Sequence, residues 1–259
     1  MIRALLTRLQ QGHRTMAYPA GPPPPLPQHF RGRPLLDQAR CQAECRACEE
    51  ACPTQAIAIT DTPRVDLGRC LFCTECADAC PTGALTYSQD YRLAVRARED
   101  LLVSPEEELR LARALDGKLK SLFGRSLKLR QVSAGGCNAC EADVNVLGTI
   151  GWDIGRFGIQ MVASPRHADG ILVTGCVSEN MRVALQKTYD AVPTPKLVIA
   201  VGACAIAGGP FIGRPQQHNG IPATIPVDLY IPGCPPHPLT ILDGLLRLLD
   251  RLQAVSSRE

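Results

Sequence analysis

The chain has 259 residues, enough for about two domains, and its net charge of +3 is too small to argue for nucleic-acid binding. No run of eighteen apolar residues occurs, so no membrane-spanning helix is expected. The N-terminus has neither the apolar core of a secretory signal nor a twin-arginine pair, so the thirteen cysteines are expected to stay reduced in the cytoplasm.

Ile2, Leu5, Leu6 and Leu9 follow helical spacing, with Arg3 and Arg8 off the stripe. Packing on a partner or on the protein itself is the preferred reading of so short a helix; lying on a membrane surface is the alternative. Residues 19–34 hold Pro19, Pro22 to Pro25, Pro27 and Pro34, and should form an extended polyproline arm that serves as tether or strap.

Two cysteine runs come next. They are Cys41-Gln-Ala-Glu-Cys45-Arg-Ala-Cys48-Glu-Glu-Ala-Cys52-Pro53 and Cys70-Leu-Phe-Cys73-Thr-Glu-Cys76-Ala-Asp-Ala-Cys80-Pro81. The second matches the bacterial two-cluster ferredoxin pattern, in which the last Cys of each run ligates the other cluster. The spacing therefore assigns Cys41, Cys45, Cys48 and Cys80 to one 4Fe–4S cluster, and Cys70, Cys73, Cys76 and Cys52 to a second. Zinc sites favour two spaced pairs per metal, and disulfides need an oxidising compartment, so both fit poorly. In the first run three residues, not two, separate Cys41 from Cys45.

Ser104-Pro105-Glu106-Glu107 combines an N-cap, a proline at the first helical position and a capping-box acid. Leu109, Ala112, Leu115, Leu119 and Leu122 give an apolar stripe that Gly124 ends. This predicts an interdomain helix covering a neighbour. The domains expected are an N-terminal helix and arm (1–34), a two-cluster ferredoxin domain (35–90), a helical linker (91–126) and a C-terminal domain (127–259).

From residue 127 short β-rich runs alternate with helical patterns. Leu127 to Val132, Ile171 to Thr174, Leu197 to Val201 and Val227 to Ile231 read as strands. Ala142 to Ile150, Ser178 to Val192 and Pro238 to Leu252 read as helices. The alternation predicts a parallel, doubly wound α/β sheet, with ligands beyond the carboxyl ends of its strands. Cys137, Cys140, Cys176, Cys204 and Cys234 all follow predicted strands, five candidates for the four positions of a third cluster. Sequence physics does not choose among them.

Gly135-Gly136-Cys137-Asn138-Ala139-Cys140-Glu141, Ser164-Pro165-Arg166-His167-Ala168-Asp169, Gly202-Ala203-Cys204-Ala205 and Pro232-Gly233-Cys234-Pro235-Pro236 together resemble a known family. It is the small-subunit family of nickel–iron hydrogenases, shared with the 20-kDa subunit of respiratory complex I, and the resemblance runs from about 127 to 253. It implies a flavodoxin-like fold and a third 4Fe–4S cluster on Cys137, Cys140, Cys204 and Cys234, leaving Cys176 unliganded. The complex I branch has two adjacent cysteines at the first ligand position. The separated Cys137 and Cys140 resemble the membrane-associated, energy-converting hydrogenases, including formate hydrogenlyase.

Residues 1–90 are similar to the ferredoxin-like electron-transfer subunit of the same complexes, usually a separate chain. The resemblance thus implies an iron–sulfur subunit with three 4Fe–4S clusters. Its implied partners are a nickel–iron large subunit, a redox donor or acceptor subunit and membrane subunits, at the cytoplasmic face of the inner membrane. The alternative is the cluster-bearing subunit of a complex I-like quinone oxidoreductase. Glu141, next to a ligand, is a candidate for proton relay or cluster tuning, or equally a helix cap. His237 is expected to pack at a helix start, and Arg166 and His167 to lie at a large-subunit interface.

Overall fold

The computed structural model describes residues 2–12, 14–42, 44–60, 63–104 and 109–252. Helix α1 (Ile2–Gln11) leads into a proline-rich segment of extended and turn backbone that ends at strand β1 (Pro34–Leu36). Prolines lack the N–H that a helix or a central strand would need, so the arm takes neither form. Its near end is fastened to the body. The Tyr18 hydroxyl donates to Asp243 Oδ1 at 3.0 Å, and Arg156 donates to the Met16 and Tyr18 carbonyls at 2.6 Å each.

The cysteine runs fold into a small two-part unit with α2 (Ala47–Glu50), β2 (Ile57–Ala58), β3 (Arg64–Asp66), α3 (Glu75–Asp78), β4 (Leu85–Tyr87) and β5 (Leu102–Val103). β1 pairs antiparallel with β4, Pro34 opposite Tyr87, which closes the unit on itself. β2, β3 and β5 form a second antiparallel sheet. Ile57, Val65, Leu67, Leu85, Leu101 and Val103 supply its buried core.

The predicted interdomain helix is much shorter than its stripe. Helix α4 covers only Gly117–Phe123, and Pro105 to Glu107 of the expected capping box lie outside the described residues. The cap is instead Asp116, whose carboxylate accepts the Leu119 N–H at 3.0 Å. Ala112 and Leu115 spend their N–H groups on the Ala94 and Leu248 carbonyls, at 2.7 and 3.0 Å. Those long-range bonds hold residues 109–115 out of a helix, yet both side chains are buried and cover a neighbour as expected. Gly124 does end the helix.

The second half holds β6 (Leu127–Ser133), α5 (Ala139–Val146), β7 (Ile159–Met161), β8 (Gly170–Thr174), α6 (Glu179–Ala191), β9 (Leu197–Val201), α7 (Ala203–Ala207), β10 (Leu229–Ile231) and α8 (Pro238–Leu248). The five strands are all parallel, in the order β10-β9-β8-β6-β7. Counted along this sheet, the order is 2-1-3-4-5, the flavodoxin-like doubly wound arrangement. β8 and β9 are buried along their whole length, as strands covered on both faces must be. Alternate residues serve opposite layers: Leu172 and Ile199 pack with α8, while Ile171, Val173 and Val198 pack with Leu185 of α6.

Helix α5 begins three residues before the predicted Ala142, directly after Asn138, which takes a left-handed conformation (φ 72°). Strand β7 and helix α7 were not expected; both are very short.

The two halves are joined at the sheet edge. Val95 exchanges both backbone hydrogen bonds with Tyr230 of β10, at 3.0 and 2.9 Å. Ile206 and Tyr230 pack against the core of the cysteine-rich unit. Gly68 fits beneath Ile206 so closely that a Cβ there would lie 2.7 Å from its Cγ2.

Candidate functional site

In the cysteine-rich unit the third Cys of each run lies in a one-turn helix, Cys48 in α2 and Cys76 in α3, and both are buried. Left-handed, non-glycine residues bend the chain between the cysteines: Glu44 (φ 62°) in the first run, Phe72 (φ 53°) and Thr74 (φ 75°) in the second. Such conformations persist only where the surroundings over-determine them, and they gather at functional loops. The longer Cys41–Cys45 spacing is taken up by a turn in which Cys45 N–H donates to the Gln42 carbonyl at 3.3 Å.

Cys52, Cys70, Cys73 and Cys76 line one pocket, capped by Tyr87 and Thr54. Burial pushes the Cys70 thiol up to about 12, with Cys76, Cys52 and Cys73 adding to the rise. Backbone and hydroxyl groups are aimed at these sulfurs. Ala56 N–H donates to Cys52 Sγ at 3.2 Å, Phe72 N–H lies 3.4 Å from Cys70 Sγ, and the Tyr87 hydroxyl lies 3.4 Å from Cys76 Sγ. Around the other set, Cys41 is an electrostatic neighbour of Cys48. The Cys80 loop is drawn to Cys41 by Asp37 N–H on the Ala84 carbonyl (2.9 Å) and Arg40 on the Thr82 carbonyl (2.5 Å).

The third set stands at the carboxyl edge of the parallel sheet. Cys137 and Cys140 follow β6, Cys204 follows β9 and Cys234 follows β10. Cys140 and Cys204 are buried, Cys137 and Cys234 exposed. Burial raises the thiols of Cys140, Cys204 and Cys234, that of Cys204 to about 12, and the four cysteines are one another's charged neighbours. Glycines make the room. A Cβ on Gly202 (φ 89°) would sit 2.6 Å from Cys140 Sγ, and one on Gly209 (φ 55°) 2.6 Å from Cys204 Sγ. The Gly136 and Gly175 loops touch backbone to backbone, where a Cβ on Gly175 would meet Gly136 N at 2.5 Å.

Buried, mutually repelling thiols with raised pKa values favour the neutral form when free. A metal core reverses that balance by holding them as thiolates, and N–H and O–H groups pointed at sulfur then become favourable. The second and third donor sets fit iron–sulfur ligation on these grounds; in the first, burial raises Cys48, while Cys80, against a small rise from burial, is lowered to about 7 by hydrogen bonds from the Leu85 backbone and from Thr82, which also suits a thiolate.

Cys176 is buried beside Cys204 but donates its S–H to the Gly135 carbonyl at 3.4 Å. Glu141 is also buried. Its Oε1 accepts from Ser133 Oγ at 2.6 Å and Thr174 Oγ1 at 2.7 Å, so the carboxylate ties α5 to β6 and β8 rather than capping the helix. His237 is the N-cap of α8, its Nδ1 accepting the Leu239 N–H at 3.1 Å, and burial lowers its pKa. Arg166 and His167 lie at the surface, in a short turn before β8. Sequence reasoning missed Tyr87 and the pair Ser133 and Thr174; no local pattern marks them, because Tyr87 meets Cys76 of α3 only where β4 packs on that helix, and Ser133 and Thr174 converge on Glu141 only through the pairing of β6 with β8.

The three sets lie in series. Cys48 of the first is a neighbour of Cys76 of the second, and Cys73 of the second is a neighbour of Cys234 of the third. The Arg31 guanidinium fastens the junction by donating to the Phe72 carbonyl at 2.6 Å.

Comparison with known proteins agrees with both halves. Residues 37–84 match the model of the 4Fe-4S dicluster domain, and residues 137–248 that of the NADH ubiquinone oxidoreductase, 20 Kd subunit. The probable membrane-bound hydrogenase subunit mbhJ of Pyrococcus furiosus is 38% identical over 151 residues, covering 58% of this chain and 90% of that protein. The B subunit of NADH-quinone oxidoreductase from Clostridium beijerinckii is 42% identical over 118 residues, covering 45% of this chain and 70% of that protein. A chain in the structure of the membrane-bound sulfane sulfur reductase, an archaeal respiratory membrane complex, aligns at 30% identity with a TM-score of 0.46, over 56% of this chain and 78% of that one. With its flavodoxin-like sheet and four cysteines at the sheet's carboxyl edge, the chain belongs to the family of the NADH ubiquinone oxidoreductase 20 Kd subunit and mbhJ, here joined to a 4Fe-4S dicluster domain.

Proposed function

We propose that the chain is the iron–sulfur electron-transfer subunit of a multisubunit nickel–iron hydrogenase complex, with the nickel–iron site on a separate large subunit. The observation that carries this reading is the series of three cysteine sets within one chain, joined through Cys48–Cys76 and Cys73–Cys234. Cys41, Cys45, Cys48 and Cys80 hold one 4Fe–4S cluster; Cys70, Cys73, Cys76 and Cys52 hold the second; Cys137, Cys140, Cys204 and Cys234 hold the third, nearest the large subunit. Such clusters supply one-electron transfer at potentials set by burial, charge and hydrogen bonds to sulfur. The protein's part is to fix the spacing, exclude water and present N–H and O–H donors to the thiolates. Its units are 1–34, 35–90, 91–126 and 127–259. The complex includes a redox donor or acceptor subunit and membrane subunits, and the chain works at the periphery of the cytoplasmic face.

The separated Cys137 and Cys140, and the likeness to mbhJ, support the hydrogenase reading. The likeness to the NADH-quinone oxidoreductase of Clostridium beijerinckii supports a second, a complex I-like quinone oxidoreductase. Anaerobic affinity purification from the native cell, with nickel assayed in the intact complex, separates them. Near-stoichiometric nickel on a large partner is expected; a stable complex without nickel gives the quinone-linked reading precedence.

A further inference from the structure

Cys73 and Cys234 sit on loops from different halves of the chain, yet they are neighbours. Between the loops lies a cleft of about 270 Å³, lined by Phe30, Arg31, Phe72, Cys234 and His237 among other residues. The backbone pairing of Val95 with Tyr230 ends before the Cys234 loop begins. A further tie across the cleft comes from the proline-rich arm.

On the side of the second cysteine set, the chain turns between Cys70 and Cys73 through Phe72, at φ 53°. A bulky residue rarely takes that conformation and keeps it only where its surroundings hold it. Its N–H lies 3.4 Å from Cys70 Sγ, and its carbonyl accepts from Arg31 Nη1 at 2.6 Å. On the side of the third set, Ala203 N–H holds the Gly233 carbonyl at 2.8 Å. His237, just beyond Cys234, is fixed to α8 through the Leu239 N–H. The Phe30 ring meets this imidazole edge-on, with centroids 5.5 Å apart, and Trp152 meets it at 6.0 Å. Two consecutive residues of the arm thus hold one loop each.

The arm is itself anchored on both sides of this pair. Upstream, the Tyr18 hydroxyl donates to Asp243 of α8. Downstream, Gly32 N–H donates to the Ser88 carbonyl at 2.8 Å, and a Cβ on Gly32 would lie 2.2 Å from the Asp90 carbonyl oxygen. The Gln89 amide donates to the Phe30 carbonyl at 2.8 Å. Pro19, Pro22 to Pro25 and Pro27 stiffen the stretch between the anchors.

We infer that Phe30 and Arg31 are positioning residues for electron transfer, clamping the Phe72 turn and the start of α8 to one arm and so setting the gap between the second and third clusters. The inference rests on the three-cluster reading proposed above. In the step concerned, one cluster loses the electron that the other gains, and no bond forms or breaks. Its rate falls steeply with separation, so residues that act only through Phe72 and His237 still govern it.

The test uses the full chain, loaded with its clusters under anaerobic conditions. Wild type is compared with Arg31→Met, Arg31→Lys, Phe30→Ala and the double variant Phe30→Ala, Arg31→Met. About twelve irons per chain are expected throughout, because neither side chain is a ligand. The magnetic interaction between the reduced second and third clusters is read from EPR line shape. Transfer between them is followed by freeze-quench EPR after a pulse of photoreduced deazaflavin. The ratio of closed to sprung junctions should fall about ten-fold in Arg31→Met, by loss of a charge-assisted hydrogen bond. It should fall about a hundred-fold in the double variant, which also loses an aromatic edge contact. The double variant is therefore expected to show a weakened interaction and transfer slowed at least about ten-fold. Arg31→Lys should stay near wild type, because its ammonium still donates to the Phe72 carbonyl. Unchanged interaction and rate in the double variant overturn the inference. So does a shifted cluster potential with the interaction intact, which would make Arg31 a charge and not a clamp. If the double variant loses a cluster, the single variants decide by the same two readings. Fewer than three clusters in the wild type would instead remove the reading beneath the inference, and the inference with it.

Discussion

Tyr87 shows how a single side chain bears on the chemistry of this protein. Its half-buried ring stands in the wall of the pocket formed by Cys52, Cys70, Cys73 and Cys76, and desolvation with the adjacent thiols holds its hydroxyl in the protonated form. Once Cys76 is a thiolate it can only accept, so the hydroxyl must donate to sulfur. A donor on sulfur stabilises the more electron-rich, reduced cluster. Tyr87→Phe is therefore expected to lower the potential of the second cluster alone, read as a negative shift of one signal in an EPR-monitored redox titration. Gly202 acts through space rather than charge. Gly202→Ala would drive a methyl into Cys140 Sγ at a residue already in the left-handed region. If the proposed assignment of three clusters holds, it should cost the one on Cys137, Cys140, Cys204 and Cys234 and leave the other two, so that iron per chain falls by about a third.

At the scale of elements, caps and long-range backbone bonds overrule local pattern. The Ser-Pro-Glu-Glu sequence at 104–107 and the stripe from Leu109 to Leu122 satisfy the local rules for a helix, yet Ala112 and Leu115 bond to Ala94 and Leu248. The competition was decided by burial: covering α8 removes Ala112 and Leu115 from water, and an irregular segment does so while keeping its N–H groups satisfied. Asp116→Ala is accordingly expected to destabilise the protein by about 1 kcal/mol through loss of the α4 cap. Anaerobic chemical denaturation of this variant beside the wild type measures the loss. The strands β8 and β9 were legible because a fully buried parallel strand is a continuous aliphatic run. β7 was not, because three residues carry no periodicity.

For the whole molecule, the decisive contact is the seam between the cysteine-rich unit and the sheet. Val95 pairs with Tyr230 on the outer side of β10 and so covers an edge that would otherwise present unpaired backbone groups. Ile206 and Tyr230 share an apolar core with the smaller unit. The halves are therefore expected to behave as one body: the Val95 and Tyr230 amides, and those of the fully buried β9, should all exchange hydrogen slowly. Val95→Pro removes one of the two bonds and should speed exchange at Tyr230 while leaving β8 and β9 protected.

The sequence by itself determined the chemistry of each half. Cysteine spacing within a run is covalent and local, so the two ferredoxin-type runs and the glycine-flanked cysteines after strands were readable directly, as was the alternation that leads to a parallel sheet. Only the tertiary structure decided what faces what. It turned Cys176 to the Gly135 carbonyl, turned Glu141 to Ser133 and Thr174 instead of to the helix end, left the stripe of α1 uncovered, and set Cys73 beside Cys234. These outcomes depend on loops brought together by strand order and by a seam between distant segments. No local pattern encodes such contacts, because their free energy is realised only when the whole core is assembled.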